Sequence, residues 1–284
     1  MKKILSLISA AAVVAASLFV SACGSATVEY TVSEDGTHYI ISGVSGNKSS
    51  LAVYDIPATF DDGEHGELPV TEIGESAFMG CSLAKVTIPD SITYIGDLAF
   101  AYNYIYDLVL PESLEYIGYG AFAYSSAVEE LVIPASVTQL GPFAFAYCGK
   151  LSKVEVLAQV DTIYIGTFRG IVANDTSGVY YDTNLTEVRF PATLKNLHRD
   201  ALADNFITDI YYAGTAAQWQ EVEIFYAEER LPEDGEEDEE PEVVTVCLDE
   251  EEKIEYFSIE GLTVHCSDAD LTYSGGNIQG LPLQ

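Results

Sequence analysis

Cysteine thiols, histidine imidazoles and paired carboxylates are the groups in this sequence that could attack a substrate or hold a metal: five cysteines, four histidines and 45 acidic residues. Such chemistry needs fixed spacings, because the reacting or ligating atoms must converge on one point. Those spacings are missing. The sequence has no G-x-S-x-G elbow, H-E-x-x-H pair, phosphate loop or dinucleotide fingerprint. His38, His65, His198 and His265 each lack a sequence neighbour that would mark a base or a ligand, and each reads as structural or solvent-facing. Cys247, His265 and Cys266 fit no zinc-finger spacing. Carboxylate pairs are too common in so acidic a chain to signal glycoside hydrolysis. The expectation is a protein without catalytic residues, metal or cofactor.

The cysteines divide by position. Cys247 and Cys266 lie on two predicted strands, 243–248 and 261–266, and would bond to each other if those strands are adjacent in an oxidising compartment. Cys81 and Cys148 fall at equivalent points of a repeated unit, three rungs apart. At about 4.8 Å per rung that is roughly 14 Å, beyond disulfide reach, so both read as buried thiols. Cys23 follows Lys2-Lys3, a long apolar run and small residues, which is the layout of a secretory signal over residues 1–22. The tetrapeptide Val20-Ser21-Ala22-Cys23 resembles a bacterial lipobox. That resemblance implies a diacylated Cys23 anchored stably in the cell membrane on its extracytoplasmic side, followed by a tether over 23–29.

Charge narrows the partners. With 12 basic against 45 acidic residues the net charge is -33, a field that repels nucleic acid and anionic lipid headgroups. Calcium is compatible with this acidity, but the acidic stretches 61–67 and 227–242 do not have the EF-hand spacing; 227–242 reads as a solvated loop.

The elements that position these groups are repeats. Ile73-Gly74, Ile95-Gly96, Ile117-Gly118, Leu140-Gly141, Ile165-Gly166 and Leu197-His198 recur at steps of 22, 22, 23, 25 and 32 residues. A phenylalanine follows at 78, 100, 122, 145 and 168, and Leu202 takes its place in the last copy. Between them runs an L-x-x-V-x-I segment, beginning at Leu83, Ile105, Val128, Leu151, Leu185 and Ile207, each one predicted as a short strand. A period in the low twenties with this pattern is that of a leucine-rich solenoid, whose strands must stack because none can bury its apolar face alone. The glycines suit a corner where a side chain would obstruct the coil, and prolines at 89, 111, 134 and 191 end the strands. The phenylalanines should stack as an interior ladder.

The fixed order of apolar-Pro, Ile-Gly and Ala-Phe resembles the BspA-like (Treponema-type) leucine-rich repeats of bacterial surface proteins over about residues 30–225. The run from Ile210 to Trp219 resembles the closing unit of such arrays, with a Gly-Thr turn leading into a short helix, and Val264 to Asp268 resembles their final strand. The expected fold is a β-rich solenoid, a right-handed leucine-rich repeat coil with a hairpin cap at the N-terminus and a helix/strand cap at the C-terminus. Its parts would be a cap and first strand over 30–68, the array over 69–226, the acidic loop, strands over 243–273 and a loose tail over 274–284.

Function must then sit on what folding leaves free. The outward strand positions are Lys85 and Thr87, Asp107 and Val109, Glu130 and Val132, Lys153 and Glu155, Glu187 and Arg189, Asp209 and Tyr211. Solenoids use such a face to bind proteins, and the resemblance implies adhesion or an envelope interaction with a host or bacterial surface protein. The alternatives are a structural envelope protein without a dedicated ligand, and a glycan-binding or polysaccharide-acting protein.

Overall fold

The alternation inside each L-x-x-V-x-I unit sends two or three side chains inward and the residues between them outward, so the unit is stable only against copies of itself. A computed structural model describes residues 25–170, 184–230, 242–250, 252–253, 262–274 and 277–282. Cys23 and the 1–22 signal, most of the long insertion after Phe168 and the centre of the acidic stretch lie outside the described residues.

Two columns of short strands run through the molecule. In one, Glu130–Ile133, Lys153–Val156, Glu187–Phe190, Asp209–Tyr212 and Thr263–His265 pair in parallel, and the sheet continues antiparallel through Ala269–Ser274 and Asn277–Pro282. In the other, Leu68–Ile73, Tyr94–Ile95, Tyr116–Ile117 and Gln139–Leu140 stack in parallel, one strand for each turn. The hairpin Ala26–Val32/Tyr39–Gly46 joins this second column at its start, where Tyr39–Gly46 lies parallel to Leu68–Ile73. Farther along, Thr162–Ile163, Asn196–His198 and Glu223–Arg230 form a parallel set, which Glu242–Cys247 closes antiparallel.

Between the columns lies the aromatic ladder. Phe78, Phe100, Phe122, Phe145 and Phe168 are all buried, and successive rings stack with centroids 5.2, 5.1, 5.1 and 6.1 Å apart. Gly118 shows why the ladder can be this close. A Cβ there would lie 2.7 Å from the Gly96 carbonyl carbon and the Asp97 nitrogen of the preceding turn, so a side chain would wedge the turns apart. Two residues before each phenylalanine the backbone is left-handed, at Ser76, Leu98, Gly120, Phe143 and Gly166. Large and small alternate along this row: a Cβ on Gly120 would meet Leu98 Cδ2 at 2.9 Å, and one on Gly166 would meet the Phe143 ring at 2.3 Å.

Three residues after the ladder position, behind Phe100, Phe122, Phe145 and Leu202, lies a row of hydrogen-bonding side chains. Asn103 Nδ2 donates to the Phe78 and Phe100 carbonyls at 2.9 and 2.8 Å, and its Oδ1 accepts from the Leu83 N–H at 2.9 Å. Ser125, Cys148 and Asn205 occupy the same place and reach back to the Phe100, Phe122 and Phe168 carbonyls. Cys81 and Cys148 are free, buried thiols, and burial pushes the Cys148 thiol up to about 12.

Several expectations are corrected. Ile163, not Ile165, pairs with Leu197, and Gly166 matches Gly120 rather than Gly118; Ile165-Gly166 imitates the motif two residues out of register. The segment 105–110 buries Ile105, Leu108 and Leu110 as a strand would, but it joins no ladder. The proposed tether is strand from Ala26 onward, held by the 39–46 strand. The acidic stretch 227–242 is not loop at its ends, because Glu223–Arg230 and Glu242–Cys247 pair as far as Arg230 opposite Glu242. The proposed loose tail contains Asn277–Pro282, which pairs along its length with Ala269–Ser274. Cys247 ends the Glu242–Cys247 strand and Cys266 follows the Thr263–His265 strand of a different sheet; both are free thiols, so the possible bond between them is not formed.

The short helix is present as Ala216–Gln220, started by a reciprocal capping box between Thr215 and Gln218. Its Trp219 is buried, and its indole N–H donates to Tyr273 Oη at 3.0 Å. The helix is thereby fastened to the Ala269–Ser274 strand.

Candidate protein-binding face

Parallel register places the outward residues in two rows. Glu130, Lys153, Glu187, Asp209 and Thr263 lie side by side in one; Val132, Glu155, Arg189, Tyr211 and His265 lie side by side in the other. Lys85 and Thr87 stand on the separate pair formed by Val53–Asp55 and Lys85–Thr87, in register with Val53 and Asp55. Asp107 and Val109 sit on the unladdered turn between these sheets. Lys85 Nζ nevertheless reaches Asp107 Oδ2 at 3.6 Å, which links that turn to its neighbour.

Part of the charge along the rows is neutralised within them. Glu187 Oε1 accepts from Lys153 at 2.9 Å and from Arg189 at 2.8–2.9 Å. Burial tends to raise the Glu187 carboxyl, but these two cations outweigh it and hold it below the usual range. The Arg189 guanidinium lies 4.0 Å from the Tyr211 ring centre, and the other neighbour of Tyr211 in the row, His265, stacks on it with centroids 4.5 Å apart. The tyrosine is fixed before any partner arrives.

His265, which the sequence marks as structural or solvent-facing, has the structural role here, and its partners are not legible in the sequence. Its Nδ1 faces Asp270 Oδ1 and its Nε2 faces Asp209 Oδ1, both at 2.9 Å. Two ionised carboxylates are both satisfied when both ring nitrogens carry protons, so the arrangement favours the imidazolium form. Burial tends to lower its pKa; the bonds to Asp209 and Asp270 overcome that and raise it. Asp209 is lowered, chiefly by the His265 bond. The stabilisation from His265 is therefore complete below its unfolded value of about 6.5 and is lost as pH rises through the raised folded value. The share from Asp209 is complete above about 3.9 and is lost as pH falls through its lowered folded value. At about pH 5.5 His265→Ala is expected to melt roughly 2–4 °C below wild type, for a loss of about 1 kcal/mol, and the gap should close at about pH 9. Equal gaps at both pH values would show that packing on Tyr211, not the charged clamp, is what His265 supplies.

At the other end of the face the residues are apolar. Val109 and Val132 are 69% and 48% exposed, and Tyr104 and Tyr106 are exposed just before Val109 on the same turn. Among the described residues there is no cluster of three or more histidine, cysteine or acidic side chains placed to hold a metal ion, and no helix long and apolar enough to cross a membrane.

Comparison with known proteins agrees with the repeat geometry. Residues 67–172 match the BspA type leucine rich repeat region in six copies. No curated protein matches the chain significantly. Among solved structures, a leucine-rich repeat protein from Bacteroides capillosus is 38% identical over 45% of this chain and 93% of its own, with a TM-score of 0.40. One from Bacteroides ovatus is 25% identical over 66% of this chain, with a TM-score of 0.49; this chain spans 54% of it, about half its length. The T. pallidum leucine rich repeat protein is 21% identical over 65% of this chain and 82% of its own, with a TM-score of 0.41. With six copies of the repeat and a 38% identical relative matched over nearly its whole length, the chain belongs to the BspA-type leucine-rich repeat family.

Proposed function

We propose that this chain is an exported bacterial surface protein, held to the membrane through a lipid on Cys23, whose outward strand face binds a protein partner in adhesion or in an envelope interaction. The stacked turns act as a right-handed solenoid, with the N-terminal hairpin and the C-terminal helix and strands shielding its ends. One observation carries the reading: Val109 on the unladdered turn and Val132 on the Glu130–Ile133 strand are exposed at outward positions of the repeat, where they add nothing to the core and cost solubility. An apolar centre within a charged surround is the composition of a contact surface.

The test is capture of a saturable surface partner by the chain carrying Cys23→Ser. Val132→Asp should weaken capture by about tenfold or more, with the melting temperature within about 2 °C of wild type. Capture unaffected by Val132→Asp, or no saturable partner at all, would leave this face as mere solvent surface. Charge reversal at Lys153 or Arg189 is a poorer probe, because both hold Glu187 and their reversal would disturb the sheet.

A further inference from the structure

Among the described residues, each copy of the repeated strand segment that forms the face pairs with a neighbour as a strand except 105–110. Among the same described residues, the N–H groups of 107–110 donate no backbone hydrogen bond to the adjacent turns, and the carbonyls of 105–110 accept none. This turn is tied in by the Tyr104 and Tyr106 N–H groups, which donate to the Leu83 and Ala84 carbonyls, by the Lys85–Asp107 pair and by its buried side chains. A segment so weakly fastened can shift to fit what lies on it. It carries Val109, and Val132 lies on the next turn.

The charges left unpaired on the face around these valines have one sign. Glu130 is two residues before Val132 on the same face, and Glu155 is directly opposite Val132 in the ladder. Neither forms an ion pair among the described residues, nor does the exposed Glu129 beside them. Lys153, in register with Glu130, turns to Glu187, and Lys85 is engaged by Asp107. The cations of the face are thus spent inside it, and the carboxylates around the apolar centre are not.

Resting on the protein-binding reading above, we propose that Val109, Val132 and the open 105–110 turn dock an extended basic segment of the partner protein. Lysine or arginine side chains of the segment meet Glu130 and Glu155, and its apolar side chains cover the two valines. A nucleic acid or an acidic peptide is repelled by the same carboxylates. The complementarity is local, so it differs from the general attraction of an acidic chain for cations.

The test uses the full-length chain and three synthetic peptides, alternating Lys-Val, Lys-Ser and Glu-Val, followed by calorimetry. Lys-Val should bind roughly tenfold more tightly than Lys-Ser, the difference that covering two partly exposed valines makes. Val109→Ser with Val132→Ser should abolish that preference. Glu130→Gln with Glu155→Gln should weaken Lys-Val binding about fivefold, while Glu29→Gln with Glu34→Gln on the hairpin leaves it unchanged. Bound Lys-Val should also slow amide exchange at 107–110. The proposal is overturned if the hairpin pair weakens binding as much as the face pair, if Lys-Ser binds as well as Lys-Val, or if exchange at 107–110 does not change. A surface partner that is lost on Val132→Asp yet not displaced by Lys-Val would overturn this proposal alone. A partner indifferent to Val132→Asp would overturn the protein-binding reading itself.

Discussion

Phe122→Ala is expected to lower stability by about 3–5 kcal/mol, the largest loss among the substitutions considered. The ring is fully buried and stacked on both sides, with Phe100 and Phe145 each 5.1 Å away. Collapse into the vacated space is blocked, because the turns above and below are set by backbone bonds from Phe100 N to the Ala121 carbonyl and from Phe122 N to the Ala144 carbonyl. The cavity therefore persists, and cavity volume is what makes such losses large. Urea denaturation followed by circular dichroism would measure it, and Phe168→Ala gives the comparison. Phe168 is equally buried, but its stacked neighbour Phe145 is 6.1 Å away and the next copy offers Leu202 instead of a ring. A smaller loss at Phe168 is expected. Equal losses would show that burial alone, without stacking between turns, accounts for the ladder.

Asn103→Ala should cost about 2–4 kcal/mol, more than a partly buried polar residue usually does. The side chain is almost wholly buried and serves four backbone groups at once: the Leu83 N–H and the Phe78, Phe100 and Ala101 carbonyls. Alanine leaves the Leu83 N–H without its acceptor in a place water does not reach, and takes one donor from each of the three carbonyls, which keep only the Cys81 N–H, the Ser125 hydroxyl and the Gly80 N–H. Asn103→Ser should recover part of the loss, because Ser125 holds the equivalent place and still reaches the Phe100 carbonyl at 3.2 Å. Denaturation midpoints of the two variants, with amide exchange at Leu83, give the answer. If Asn103→Ala melted within about 1 °C of wild type, the polar row would be an incidental filling and not a brace between turns.

What the sequence made legible was whatever repeats. The phenylalanine ladder, the glycines at the corners and the inward-outward alternation of the strands are periodic, and all three stand in the structure as the periodicity implied. Features that depend on one turn meeting another were hidden. Residues 105–110 alternate as well as any other copy; what they lack is hydrogen bonding to neighbours, which leaves no mark in composition. Ile165-Gly166 spells the corner motif, yet Ile163 occupies the position, since the backbone counts back from Phe168. The clamp on His265 joins it to Asp209, 56 residues earlier, and only the docking of the Thr263–His265 strand beside Asp209–Tyr212 brings them together. Cys247 and Cys266 were misjudged for a related reason: consecutive strands here join different sheets.

The alternation at Ser76, Leu98, Gly120, Phe143 and Gly166 also bears on how such an array can grow. Because Leu98 leans over Gly120 and Phe143 over Gly166, each bulky residue needs a bare position on the next turn. The pattern in this row therefore repeats every two turns, not every one. A duplication or deletion of a single unit would set bulk against bulk or leave a bare position uncovered, whereas an exchange of two units preserves the match. Gain or loss of units in even steps is thereby expected to disturb this row least.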